Sequence, residues 1–121
     1  MKIADANIFL RYLINDNEQA FRQAKEMLEN NDVFLPVEVL CEIVYVLQKV
    51  YQIDRAEIQH ALGSLIEQPG ISIQNRDVVG FALRLFKSSK LDFVDCLLVG
   101  YSKVNGDTIY TFDEKLHKHI S

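Results

Sequence analysis

Residues 33–47, VFLPVEVLCEIVYVL, place a short β-strand directly before a long apolar helix. The first three residues have the composition of a buried strand, and Pro36 suits the first turn of the helix. This helix is hydrophobic on nearly every side, which predicts that it is buried. Glu42 lies in its middle. Because an ionised carboxylate is costly to bury without a partner, Glu42 is expected to pair with another group or to coordinate one.

Strands and helices alternate along the rest of the 121 residues. This alternation predicts βαβ units and a mostly parallel sheet. The expected fold class is α/β, a three-layer α/β/α sandwich with a central sheet of about four to five strands. No repeat, linker or low-complexity tract divides the chain, so residues 1–121 are expected to form a single domain. The predicted strands are residues 2–4, 33–35, 71–73 and 108–111, and the first of them is expected to be buried. The predicted helices are residues 6–13, 17–29, 36–51, 77–87 and 92–104, with a further helix capped by Asp54 and a terminal helical turn from Asp113. Residues 105–107, with Gly106 in the middle, are expected to form a C-cap and turn.

Composition narrows the function classes. A net charge of −4 and a pI near 5.3 argue against a general basic nucleic-acid coat protein. Cys41 and Cys96 lie in apolar helical runs and are expected to be buried free thiols. The chain has no CxxC motif and no matching histidine pair, which argues against a zinc site. With no signal peptide expected at Met1 and no apolar run of roughly 18 residues, the expected location is the cytoplasm, away from membranes.

Four acidic residues are expected to meet at one edge of the sheet. Ligands of open parallel sheets bind outside the carboxyl ends of the strands, where the winding reverses. Asp5 follows the first strand and Asp113 ends the fourth, and the common order 3-2-1-4 makes these strands neighbours. Glu42 lies one to two turns into the helix after the second strand, and Asp95 lies in the first turn of the helix before the fourth. Four converging carboxylates suggest a metal site.

Four segments in this order resemble PIN-domain ribonucleases, in particular the toxins of VapBC-type toxin–antitoxin modules. The resemblance implies that Asp5, Glu42, Asp95 and Asp113 form the acidic quartet of that family. By the same match, Asn7 is the polar residue that often accompanies it. Thr111 is the hydroxyl residue two positions before the last acid. The matching segments are 3–7 with 10–13, 36–47, 91–98 and 111–113.

The chemistry implied is Mg²⁺-dependent endonucleolytic cleavage of RNA that leaves a 5′-phosphate, with Mn²⁺ as a possible substitute. Mg²⁺ favours oxygen ligands and usually keeps several waters, so carboxylates together with a substrate phosphate suit it. Asp5 is expected to be the central ligand and Asp95 the second direct one. Glu42 and Asp113 are expected to bind through water, place a second ion or help to deprotonate the nucleophile. The expected orienting residues are Asn7 and Thr111.

The resemblance also implies protein partners. One is an antitoxin whose C-terminal segment occupies the acidic crevice, and the other is a second copy of the chain in a homodimer. An Arg or Lys of the antitoxin would compete with the metal or with the RNA substrate.

Each acid also has a simpler structural interpretation. Asp5 and Asp113 precede helices and suit N-caps. Asp92 and Asp95, three residues apart at a helix start, resemble a capping box, and for Asp92 the cap interpretation is favoured. Glu42 has no cap interpretation, and its alternative is a buried ion pair. The basic residues and histidines are expected to be ordinary solvated side chains, among them Arg11, Lys49, His60, Arg84, Lys87, Lys90, His117 and His119.

The same residues argue against two competing functions. A response-regulator receiver needs an acidic pair after the first strand and an Asp after the third, and residues 5–7 and 73–75 lack them. Haloacid-dehalogenase-type phosphatases need Asp-x-Asp, which Asn7 breaks. Two alternatives stay open within the PIN family: a house-keeping RNA-processing nuclease and an inactive PIN module that only docks a partner.

Overall fold

A computed structural model describes residues 1–120, and the chain divides into two compact units. The first unit is Met1–Gln74, and the second begins at Asn75. The single domain expected from the sequence stays a prediction. The first unit contains β1 (Lys2–Ile3), α1 (Ala6–Ile14), α2 (Glu18–Glu29), β2 (Val33–Phe34), α3 (Val37–Lys49), α4 (Arg55–Glu67) and β3 (Ile71–Ser72). The second unit contains α5 (Arg76–Ser88), α6 (Phe93–Asn105) and α7 (Glu114–Ile120).

The sheet of the first unit is parallel throughout. Its strands lie in the order β1-β2-β3, with Lys2 opposite Val33 and Phe34 opposite Ser72. Parallel neighbours need a crossover between them, and here helices supply it. The α/β class and the 3-2-1 part of the expected strand order are therefore confirmed. Each strand is only two residues long, so the protein is richer in helix than the sequence analysis predicted.

The predicted fourth strand is absent from the described part of the chain. Residues 106–113 have no assigned strand, and the described sheet has three strands instead of four to five. Tyr110 is 95% exposed and Phe112 is fully exposed. A strand is stabilised by packing one face of its side chains, and these aromatic side chains have no such contact. The prediction of a fourth strand at Thr108–Thr111 is therefore wrong.

The first strand also differs from its prediction. It was expected to be buried, but both residues of β1 are exposed, with Ile3 60% accessible. β1 lies at the edge of the sheet and pairs on one side with β2 only. The central strand keeps the predicted character, since Val33 is buried.

Helix ends follow the predicted caps closely. Asp54 precedes α4, and its carboxylate accepts a hydrogen bond of 2.8 Å from the amide of Glu57. Gly106 ends α6 in the left-handed conformation with φ 76°, where glycine has no Cβ to strain. Cys96 is buried as expected, whereas Cys41 is only half-buried. Among residues 1–120, no helix has the length and hydrophobicity that crossing a membrane requires.

Close packing of α5 against α6 makes Gly100 sensitive to substitution. A Cβ added there would lie 3.0 Å from the carbonyl oxygen of Val78 and 3.1 Å from its Cγ1. Gly100→Ala should lower the free energy of unfolding by about 1–3 kcal/mol, because overpacking a rigid contact outweighs the gain in helix propensity. Urea denaturation of the full chain measures this change.

Gly63→Ala is the matched control, since Gly63 also lies inside a helix but its added Cβ would meet only Gln59 Nε2, at 3.6 Å. That variant should be more stable by up to about 1 kcal/mol. Equal shifts in the two variants would contradict the packing explanation.

Candidate active site

Asp5 is the N-cap of α1. Its Oδ1 accepts a hydrogen bond of 3.2 Å from the amide of Ile8, which confirms the cap interpretation. The side chain is exposed, and among the described residues its second oxygen accepts no hydrogen bond. A carboxylate has two oxygens and about four lone-pair sites, so capping leaves ligand capacity. Cap and ligand are compatible roles for Asp5.

Glu42 is not buried, which corrects the premise drawn from its apolar surroundings. It is exposed, and the described chain contains no buried charged residue. The explanation is a narrow accessible stripe on α3, where Tyr45 is 62% exposed. Glu42 therefore needs no buried ion-pair partner, and its carboxylate is free to act on a solvent-borne ligand. The exposed residues of this stripe follow helical spacing and are Glu38, Glu42, Tyr45 and Lys49.

Asn7 lies two residues after Asp5, in the first turn of α1, and is exposed. Within residues 1–120 its side chain makes no hydrogen bond to Asp5 or to any other group. The expected support of a carboxylate by Asn7 therefore stays a prediction.

In the second unit, two of the predicted site residues lie within electrostatic reach of each other. Asp95 is half-buried in the first turn of α6. Burial raises the pKa of the Asp95 carboxyl, and the nearby negative charges of Asp113 and Asp92 raise that pKa further. Negative charges that oppose the ionisation of a carboxyl also favour the binding of a cation beside it.

Asp113 is held by the start of α7. Its Oδ1 accepts hydrogen bonds from the amides of Lys115 at 2.9 Å and Leu116 at 3.2 Å. The Thr111 hydroxyl accepts a hydrogen bond of 3.0 Å from the backbone amide of Asp113. Thr111 thus fixes the backbone that carries the acid, whereas the sequence analysis expected it to orient the carboxylate itself. Asp113 is an N-cap as the simpler interpretation proposed, and its other oxygen accepts no hydrogen bond in the described chain.

Asp92 has a role that the sequence analysis did not assign. It occupies the N-cap position of α6 in extended backbone conformation, but its side chain makes no capping hydrogen bond. The favoured cap interpretation is therefore wrong for the side chain, whose charge acts on Asp95 instead. The only signal of this interaction in the sequence is that Asp92 and Asp95 lie three residues apart at a helix start, a spacing that equally suits a capping box.

The donor chemistry suits a hard divalent cation. Exposed carboxylates with unused oxygens match Mg²⁺ or Mn²⁺, which take oxygen ligands and keep waters. Within either unit, no three His, Cys, Asp or Glu side chains among residues 1–120 are grouped closely enough to enclose a metal ion. Asp95 and Asp113 supply two carboxylates in the second unit, and the four-carboxylate metal site expected from the sequence stays a prediction.

Comparison with known proteins agrees with these observations. The family model described as PIN domain matches residues 2–120, which includes all four acids. A protein named VapC ribonuclease from Aquifex aeolicus (strain VF5) is 26% identical over 101 residues, which cover 80% of this chain and 75% of that protein. Both findings support the resemblance that the sequence motifs indicated.

Proposed function

The chain belongs to the PIN-domain family, and from this membership we propose that it is a metal-dependent endoribonuclease, the toxin of a type II toxin–antitoxin module. The family match over residues 2–120 carries this proposal, and the matched range includes the four acids that we propose for the site. The raised pKa of Asp95 supports it, because like charges are held together where a cation would relieve their repulsion.

Four carboxylates act in the proposed mechanism. Asp5 offers the carboxylate oxygen that accepts no capping hydrogen bond. Asp95 offers a carboxylate that lies close to other negative charges. Both would hold the cation directly. Glu42, exposed on α3, orients the attacking water and accepts its proton. Asp113 is held in place by two amides of α7 and orients bound water. When bound, a divalent cation stabilises negative charge on the phosphate and lowers the pKa of water.

RNA as substrate follows from this chemistry and from the family. A phosphodiester repels an acidic site unless a cation lies between them, so substrate and metal bind together. An antitoxin that inserts an Arg or Lys would displace that cation and block the site. The proposal includes this antitoxin and a homodimer of the chain.

Analysis of the cut ends tests the nuclease function. Purified protein with Mg²⁺ or Mn²⁺ should cut RNA to leave 5′-phosphate and 3′-hydroxyl ends, since water attacks the phosphorus and the bond to the 3′-oxygen breaks. Adaptor ligation that requires a 5′-phosphate, followed by sequencing, detects these ends and maps the cleavage site. Contaminating metal-independent ribonucleases leave 5′-hydroxyl ends with cyclic phosphates and are thereby distinguished. RNA that stays intact with both metals would contradict the proposal.

A further inference from the structure

A basic cavity lies in the second unit. It has a volume of about 230 Å³. No carboxylate lines it among residues 1–120, although acidic residues outnumber basic ones by 17 to 13 in this chain. We call it the lysine pocket, and its lining residues are Lys90, Leu91, Lys115, Lys118 and His119.

The fold presents these cations together. Lys115, Lys118 and His119 have i, i+3 and i+4 spacing, which places them on one face of α7. Leu116 is buried and fixes that helix against its unit. Lys90 comes from the segment between α5 and α6. The arrangement therefore does not depend on a single flexible side chain.

The three lysines are available for a ligand. Lys90, Lys115 and Lys118 are exposed, and in the described chain none of them forms an ion pair or donates a side-chain hydrogen bond. Each ammonium has three donors and suits a phosphate oxygen as a compact point charge. The exposed imidazole of His119 can donate to the same anion. Unpaired cations around one cavity favour an anion over a neutral ligand.

A second cavity, of about 460 Å³, lies beside this pocket and is lined by residues next to Asp113 in the chain. It shares Lys118 with the lysine pocket, and its other lining includes Thr111, Phe112 and Glu114. These three residues flank Asp113 in the chain. Phe112 is fully exposed and offers an aromatic face on which a base can stack. A positive groove beside an aromatic face is the usual means of binding a single strand.

We propose that the lysine pocket binds a backbone phosphate of the RNA strand on one side of the scissile bond, an inference that rests on the proposed function. Its residues touch the substrate but not the reacting atoms, so they govern affinity. For single strands, the slope of log K against log salt concentration is about −0.7 for each phosphate neutralised. Removing two lysines should therefore make the slope shallower by about 1.4, which corresponds to about 25-fold weaker binding at 0.1 M salt relative to 1 M.

The test compares two double variants of equal charge. Lys115→Gln/Lys118→Gln removes two pocket cations, whereas Lys25→Gln/Lys103→Gln removes two exposed lysines that do not line the pocket. Fluorescence anisotropy with a labelled 12-nucleotide single-stranded RNA in EDTA gives affinity and salt slope without cleavage. Initial rates with Mg²⁺ give KM and kcat. The pocket variant should lose affinity and slope as stated and raise KM with kcat nearly unchanged. The control should match the wild type.

The possible outcomes separate this inference from the nuclease proposal. Wild-type protein that cleaves RNA while the two double variants have the same slope and KM would overturn the pocket and leave the nuclease intact. Wild-type protein that binds RNA through the lysines but never cleaves it would support the pocket and contradict the nuclease. Thermal melting of both variants identifies a folding defect. In that case the charge-conserving Lys115→Arg/Lys118→Arg protein must keep the wild-type salt slope, and a lowered slope there would overturn the pocket.

Discussion

Asp95→Asn is expected to lower kcat for RNA cleavage by about 10³-fold or more while leaving the fold intact. Removing a direct metal ligand takes away transition-state stabilisation of several kcal/mol, and about 4 kcal/mol corresponds to that factor. The amide keeps the size of the carboxyl group but not its charge. Initial rates at saturating Mg²⁺ measure the effect, and Asp5→Asn should give a loss of the same order.

The same substitution should stabilise the metal-free protein at neutral pH. The pKa of Asp95 is raised in the folded state by burial and by Asp113 and Asp92. At pH values between the ordinary pKa of Asp, about 3.9, and the raised pKa of Asp95, the folded protein therefore binds more protons than the unfolded chain. Stability falls as pH rises through that window, and the loss persists at pH values above it. In EDTA, Asp95→Asn should melt higher than wild type near neutral pH, and the difference should shrink under strongly acid conditions.

Asp77→Asn is the matched control for both readouts. Asp77 is also an acid in the first turn of a helix in the second unit, and it is exposed. Its substitution should leave cleavage unchanged and should not raise the melting temperature, because acids are favourable near helix N-termini. A metal-free Asp95→Asn protein that melts lower than wild type at neutral pH would contradict the repulsion described here. Wild-type cleavage by that variant would exclude Asp95 from the site.

Local signals predicted the helices of this chain well. The apolar spacing in residues 17–29 became α2 (Glu18–Glu29), and Asp54 and Gly106 are caps where the sequence placed them. Periodicity and capping depend on neighbours within a few residues, and those neighbours are visible in the sequence. The order of the three strands agrees with the common doubly wound order 3-2-1-4 that the sequence analysis assumed.

Exposure was harder to predict than helix position. Tyr45 and Cys41 made α3 look apolar on nearly every side, yet Tyr45 is exposed and Cys41 is half-buried. Which side of a helix meets solvent depends on what packs against it, and the sequence of the helix alone does not specify this. Glu42 was predicted to be a site residue because it was expected to be buried, and the structure shows that it is exposed. Its proposed role in the site therefore depends on the resemblance to the family motif and on its accessible carboxylate.

Caps and metal ligands produce the same sequence signal at the acids of this chain. Asp5 and Asp113 both accept amide hydrogen bonds at helix starts, which is the usual role of an N-cap aspartate. A carboxylate at the start of a helix is favourable with or without a metal. Two features distinguish a metal ligand from a simple cap. One is whether the second carboxylate oxygen is left without a hydrogen bond, and the other is whether further negative charges lie nearby, as they do for Asp92 and Asp95. Both features are tertiary and cannot be read from spacing.

Removal of divalent metal should abolish cleavage, and the loss should be reversible. Excess EDTA takes away the charge that allows a phosphodiester to approach several carboxylates, so activity should fall below detection. Adding Mg²⁺ or Mn²⁺ in excess of the chelator should restore it. Binding also gives a readout that is independent of activity. A ligand at 100 times its Kd stabilises the folded state by about 2.7 kcal/mol, so the melting temperature should rise on adding metal.

The variants show whether the proposed acids are responsible for that metal response. Asp5→Asn and Asp95→Asn should lose most of the metal-induced rise in melting temperature, whereas Asp77→Asn should keep it. A Na⁺ series at equal ionic strength controls for general screening of acidic repulsion, which any salt provides. If Na⁺ produced the same rise, the carboxylates would be responding to ionic strength and not to a bound ion. Full cleavage in excess EDTA would exclude the metal mechanism altogether, because carboxylates without a cation repel a phosphodiester.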